Sequence, residues 1–148
     1  MQLVIDTNVV LDLLVFGDPG ARRLHEGLQA GSLRWLATAA MREELARVLG
    51  YPKLAPRVAF HRGSADCVLQ DFDRHALLVE VPPRAGLTCG DPDDQKFIDL
   101  AIAHRCVLLS KDDEVLRMRK RLARMQVTAA AMLPAHVPAA QAPANGSA

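Results

Sequence analysis

Hydrophobic residues in this chain fall into short continuous runs separated by segments of helical periodicity. The runs at 3–5, 33–37, 77–81 and 106–109 predict strands, and 125–128 predicts a last short one. Strands that are apolar throughout are covered on both faces, which is typical of parallel sheets.

Helices are predicted between these strands. The first is capped by Thr7 or Asn8 and ends before Gly17, and the others cover 21–30, 38–49, 57–75, 92–105 and 112–121. Strands that alternate with helices predict an α/β fold, here a three-layer α/β/α sandwich around a mainly parallel sheet.

The length of 148 residues fits one domain. With 50% hydrophobic and 24% charged residues, the composition is globular, which excludes a disordered chain. The Ala- and Pro-rich segment 134–148 has no Asp, Glu, Lys or Arg, so we expect a disordered tail after a domain at 1–133. A net charge of +1 excludes a strongly basic nucleic-acid coat but not a local site.

The cysteines and the N-terminus indicate a cytoplasmic protein. Cys67, Cys89 and Cys106 are odd in number and show no C-x-x-C pairing, which favours a reduced compartment. The apolar N-terminus has no preceding positive region and is interrupted by Asp6 and Asp12, so neither a signal peptide nor a membrane span is predicted.

Acidic residues follow two of the apolar strands. Asp6 directly follows the first strand, and Asp112 comes shortly after the run at 106–109. If these strands are parallel neighbours, both carboxylates lie at the same sheet edge, where open α/β folds place their functional crevice. Each aspartate alone fits a turn or helix cap equally well.

The phase of the helix at 92–105 separates the next candidates. Asp94 falls on the apolar stripe of this helix and is expected to point toward the sheet, whereas Asp99 lies about 140° away, toward solvent. Asp91 and Asp93 lie at the helix N-terminus, where a capping role is favoured, although either could assist an ion.

The same test favours Glu44 over Glu43, because Glu44 lies at the edge of the buried face of its helix. Carboxylates that converge on one crevice repel one another. The simplest compensation is a hard divalent cation, Mg²⁺ or Mn²⁺, with one or two ions bound. Asp6, Glu44, Asp94 and Asp112 are therefore the candidate ligands.

Four segments carrying these residues resemble the motifs of the PIN-domain nucleases, including the toxin components of bacterial toxin–antitoxin pairs. They are Val4-Ile5-Asp6-Thr7-Asn8, Met41-Arg42-Glu43-Glu44-Leu45, Gly90-Asp91-Pro92-Asp93-Asp94 and Leu109-Ser110-Lys111-Asp112. Ser110 stands where the family pattern has Thr. The resemblance extends from residue 1 to about 133, with the motifs in family order.

The resemblance implies a five-stranded parallel sheet and metal-dependent endonucleolytic hydrolysis of RNA. It makes Asp6, Glu44, Asp94 and Asp112 the metal-binding catalytic residues, with polar support from Thr7, Asn8 and Ser110. Asp91, Asp93 or Asp99 could join them. A toxin-like member is expected to form a homodimer and to be blocked by a small antitoxin protein.

An acidic active site needs positive residues beside it to hold an RNA backbone. The candidates are Arg42, Arg47, Arg117, Arg119 and Lys120. A solvated helix face explains the last three equally well. Trp35 and Tyr51 could stack on a base, although a core or interface role is the simpler interpretation.

Two other functions remain open. An aspartate that ends the first strand also suits a phosphoryl-transfer or phosphoacceptor domain, but Asp6-Thr7-Asn8 lacks the second aspartate of a D-x-D-G-T motif. The third hypothesis is a non-catalytic RNA- or protein-binding module of the same fold.

Overall fold

The computed structural model describes residues 1–137. Its strands are β1 (Gln2–Ile5), β2 (Arg34–Ala37), β3 (Ala76–Leu78), β4 (Val107–Leu109) and β5 (Thr128–Ala130). Its helices are α1 (Thr7–Leu11), α2 (Arg22–Ala30), α3 (Ala39–Leu49), α4 (Ala55–Arg62), α5 (Ala65–His75), α6 (Gln95–His104), α7 (Asp113–Leu116) and α8 (Arg119–Arg124). A π-helical segment, Asp12–Phe16, continues α1, and 3₁₀ turns, Pro19–Ala21 and Pro92–Asp94, precede α2 and α6.

The five strands form one parallel sheet in the order β3-β2-β1-β4-β5, which confirms the predicted α/β sandwich. The central strands are apolar because they are covered on both faces, and Leu3, Val4 and Leu108 have no exposed surface. The chain moves from β1 to β2 and β3 on one side and then returns to β4 on the other. The switch point between β1 and β4 is where such sheets bind ligands.

The two outer strands differ from their predicted bounds. β3 covers 76–78 rather than 77–81, and the last bond of its ladder is donated by Val79 N to Ala37 O at 2.8 Å. β5 covers 128–130 rather than 125–128. Gln126 has a φ of 63°, and Val127 N bonds back to Leu122 O, so residues 125–127 close α8 instead of forming a strand.

Two predicted helices are each divided. The segment 57–75 breaks at Gly63, whose φ of 84° a helix cannot contain, and Ser64 then caps α5 by accepting from Cys67 N at 3.3 Å. The segment 112–121 divides into α7 and α8.

Packing continues past the predicted domain end at 133. Val137 is buried, and the Arg23 guanidinium donates to the carbonyls of Leu133, Pro134 and Val137. The rest of the predicted tail, 138–148, lies outside the described residues. Within 1–137, no helix is both long and apolar enough to cross a membrane.

Candidate functional site

A crevice of about 400 Å³ opens at the carboxyl ends of β1 and β4. It is lined by Asp6, Thr7, Asn8, Glu44, Arg47, Val48, Tyr51, Asp91, Asp93, Asp94 and Asp112. Parallel pairing of β1 with β4 brings the two strand ends together, since Asp6 N donates to Leu109 O at 2.8 Å. All four acidic residues selected from strand ends and helix phase therefore reach one place.

Asp6 lies on the floor of the crevice and is 5% exposed. Its Oδ2 accepts a hydrogen bond from Ser110 Oγ at 2.6 Å. Burial raises the pKa of the Asp6 carboxyl, and the hydrogen bond from Ser110 opposes this rise by stabilising the charged form. Ser110 thus fixes the orientation of Asp6 and favours its ionisation.

Asp94 ends the 3₁₀ turn before α6 and is 6% exposed. Its Oδ2 is buried and has no hydrogen-bond partner within residues 1–137. Burial, the close approach of Asp112 and the charges of Asp6 and Asp91 raise the pKa of Asp94 to about 8. Buried polar atoms normally have partners, so this carboxylate oxygen is placed to bind a ligand.

Asp91, Asp94 and Asp112 form an acidic cluster that could hold a metal ion. Each offers a carboxylate oxygen, and these oxygens all lie within 4.8 Å of one another. Asp91 also caps its turn by accepting from Asp93 N at 2.9 Å, and Asp112 caps α7 by accepting from Glu114 N at 2.8 Å. Capping uses one oxygen of each carboxylate, so it does not exclude a ligand role for the other.

Glu44 reaches the opposite wall of the crevice from α3. Its Oε2 accepts from the Thr7 hydroxyl, and its Oε1 pairs with Lys96 Nζ at 2.5 Å. Thr7 therefore supports Glu44 through a direct hydrogen bond. Glu43 is exposed, as helical geometry predicted, and Asn8 is an exposed residue of the crevice lining.

Asp99 was predicted to point into solvent, but its carboxylate is held within the protein. It is half-buried and accepts from Ala85 N at 3.0 Å and from Gln95 Nε2 at 2.8 Å. These bonds hold the irregular segment before α6, which has no regular structure that periodicity could reveal. Asp99 does not line the crevice, whereas the exposed Asp93 does.

Two charged residues near the site were missed by the sequence reasoning. Lys96 pairs with Glu44 and donates to Asp93 O at 2.7 Å. Glu114 lies so close to Gly90 that a Cβ added to this glycine would be 2.0 Å from Glu114 Oε2. Two features of the sequence could have indicated them: Lys96 lies within one helical turn of Asp94, and Glu114 ends the acidic run that follows Lys111.

The predicted RNA-binding residues occupy different environments. Arg47 lines the crevice, whereas Arg42 forms two hydrogen bonds with Asp73, at 2.7 and 2.8 Å. Arg117 pairs with Glu114 at 2.6 Å. Arg119 and Lys120 are exposed on α8 and do not line the crevice.

The two residues that could stack on a base, Trp35 and Tyr51, lie in different environments. Trp35 is 1% exposed and packs edge-to-face on Phe72, with 4.8 Å between ring centroids, so it belongs to the core. Tyr51 is 48% exposed and lines the crevice.

Comparison with known protein families gives one finding. A family model described as "PIN domain" matches residues 2–113, which is more than half of the chain and includes every crevice residue. Comparisons with curated proteins and with solved structures gave no significant match.

Proposed function

Because this chain belongs to the PIN domain family, whose members are generally nucleases, we propose that it is an endoribonuclease that depends on Mg²⁺ or Mn²⁺. The observation that carries this proposal is the buried Oδ2 of Asp94, which has no hydrogen-bond partner among residues 1–137 and lies beside two further carboxylates. A divalent cation satisfies that oxygen and offsets the repulsion that raises the pKa of Asp94.

The donor set fits such an ion. Asp91, Asp94 and Asp112 offer only hard carboxylate oxygens, which suit Mg²⁺ and Mn²⁺ rather than softer metals. When bound, the cation supplies an activated water and neutralises charge that develops on the phosphodiester. One ion suits this cluster, and Asp6 and Glu44 are the residues that would hold a second.

The remaining residues orient these carboxylates. Ser110 holds Asp6, and Thr7 and Lys96 hold the two oxygens of Glu44. Side chains fixed in this way lose little freedom when substrate binds, which favours catalysis by positioning.

We further propose that the protein is a bacterial toxin component, acting on RNA in the cytoplasm as a homodimer. Support comes from the likeness of its four motifs to toxin-like PIN proteins and from the absence of any disulfide among its described cysteines, Cys67, Cys89 and Cys106. A small antitoxin protein would block the crevice by inserting a basic side chain. The pairing of Lys96 with Glu44 illustrates that an ammonium group is accommodated there.

The test is digestion of total RNA in Mn²⁺ by the wild-type protein and by Asp6→Asn, with the cleavage ends mapped. We expect internal cleavage that EDTA stops and that Asp6→Asn reduces at least a hundredfold, on the order of the loss when a preorganised electrostatic group is removed. Equal cleavage by Asp6→Asn would refute the proposal. Release of phosphate from a phosphomonoester without RNA cleavage would favour the phosphoryl-transfer alternative.

A further inference from the structure

One wall of the crevice is a single face of α3 and of the turn that follows it. Arg47 and Val48 follow Glu44 by three and four residues, Tyr51 follows them by four and three, and all four line the crevice. At 1.5 Å per residue this face extends about 10 Å from Glu44 outward. It leads from the carboxylates to the protein surface.

Arg47 places a positive charge on this wall that has no ion-pair partner among residues 1–137. Its guanidinium makes no hydrogen bond or ion pair with any of residues 1–137, although carboxylates line the same crevice. By contrast, Arg42 on the same helix is held by Asp73, and Arg62 by Asp71. An exposed arginine with free donors is suited to forked hydrogen bonds with phosphate oxygens.

Tyr51 presents an aromatic side chain on a fixed backbone. Its N donates to Val48 O at 3.0 Å, and its carbonyl accepts from the amides of Leu54 and Ala55, both at 2.8 Å. These bonds hold the turn between α3 and α4, while nearly half of the Tyr51 surface stays exposed. A ring held in this way loses little freedom when it stacks on a ligand.

We propose that Arg47 and Tyr51 form a nucleotide subsite, in which the Arg47 guanidinium binds a phosphate beside the scissile one and the Tyr51 ring stacks on an unpaired base. The proposal rests on the proposed function and adds two residues that hold the RNA strand beside the scissile bond. In a duplex the bases stack on one another and are not available to Tyr51. The carboxylates of Asp6 and Asp94 are almost fully buried, so the strand must enter the crevice to reach them.

Binding is measured with the full chain carrying Asp94→Asn in EDTA, so that neither cleavage nor a cation contributes. The probes are a fluorescent single-stranded RNA and a duplex of the same sequence, and a 2-aminopurine base in the single strand reports stacking. Tyr51→Ala is expected to raise the Kd for the single strand about tenfold, since stacking on one base is worth about that factor. Tyr51→Phe is expected to bind like the parent, and Arg47→Gln to weaken binding with a smaller salt dependence.

Two controls match these changes. Phe60 is 84% exposed on α4 and lies outside the crevice, so Phe60→Ala removes an exposed ring elsewhere. Arg34 is exposed where β2 begins, at the other end of the sheet, so Arg34→Gln removes a distant charge. Both are expected to bind the single strand like the parent.

The outcomes separate the two proposals. If RNA is bound or cleaved but Tyr51→Ala behaves like Phe60→Ala, or weakens single strand and duplex equally, the subsite is overturned. KM for cleavage of the same strands in Mn²⁺ is the second readout, and it must rise in Tyr51→Ala but not in Tyr51→Phe. If the wild-type protein cleaves no RNA in Mn²⁺, the proposed function is overturned, whereas the effect of Tyr51→Ala on single-strand binding still tests the subsite.

Discussion

Replacing Asp94 by Asn tests whether its carboxylate is held in a site built for a cation. The unfolded chain ionises this group near its ordinary pKa of 3.8, whereas in the folded protein the pKa is about 8. A raised carboxyl pKa means that the folded state binds the proton more tightly. The contribution to stability is therefore fully present below about pH 4 and is lost as the pH rises toward about 8.

The size of this effect follows from the pKa change. At about 1.4 kcal/mol per unit, a change of about four units sets an upper limit of about 6 kcal/mol on the free energy of unfolding. Water entering the open crevice reduces this value, and we expect about 2–4 kcal/mol in practice. Asn has the shape of the protonated carboxyl but cannot ionise. Asp94→Asn is therefore expected to match wild type at pH 3.5, below the unfolded pKa, and to be more stable by this amount at pH 8.5.

The assay is urea unfolding in EDTA at both pH values, repeated with Mn²⁺. With Mn²⁺ at pH 8.5 the difference in the free energy of unfolding between Asp94→Asn and wild type should become smaller or change sign. An ion at a hundred times its Kd stabilises wild type by about 2.7 kcal/mol, and the variant loses this stabilisation. Glu43→Gln neutralises an exposed carboxylate on α3 and should follow wild type throughout. Equal stability of wild type and Asp94→Asn at pH 8.5 in EDTA would refute the reasoning.

Two further substitutions probe Ser110 and Lys96, which contact Asp6 and Glu44. Ser110→Ala removes the hydrogen bond that lowers the pKa of Asp6, so the acid limb of the pH–rate profile for cleavage is expected to move to higher pH. An unchanged limb would show that Ser110 does not set the ionisation of Asp6. Lys96→Met removes a positive charge that lies 2.5 Å from Glu44 and would compete with a cation. We expect Mn²⁺ to bind about fivefold more tightly, for a repulsion of about 1 kcal/mol. Electron paramagnetic resonance of free Mn²⁺ measures this, with the exposed Lys53→Met as control; unchanged or weaker binding would contradict it.

The parts of the site that sequence reasoning located were those set by strand ends and helix phase. Asp6 and Asp112 follow buried strands, and Asp94 shares the face of α6 that packs toward the sheet, so local position determined where each carboxylate lies. Glu44 was separated from Glu43 by the same rule.

The rest depended on irregular chain and on side-chain contacts. Asp91 has the sequence context of a helix cap, and only the folded turn shows that its carboxylate also approaches Asp94 and Asp112. Asp99 is held by the segment before α6, whose path no periodicity describes. The pairing of Lys96 with Glu44 joins two helices, and nothing in either helix alone predicts it.

We propose that this crevice cleaves RNA with a cation held by its carboxylates. The most direct test of this proposal is the rate of cleavage of a single-stranded RNA as Mn²⁺ is added to wild type, Glu43→Gln and Asp94→Asn, each first freed of metal with EDTA. We expect no cleavage without the cation, the same saturable activation in wild type and Glu43→Gln, and at least a hundredfold slower cleavage by Asp94→Asn. Cleavage that persists in EDTA, or that Asp94→Asn performs as fast as wild type, would contradict it.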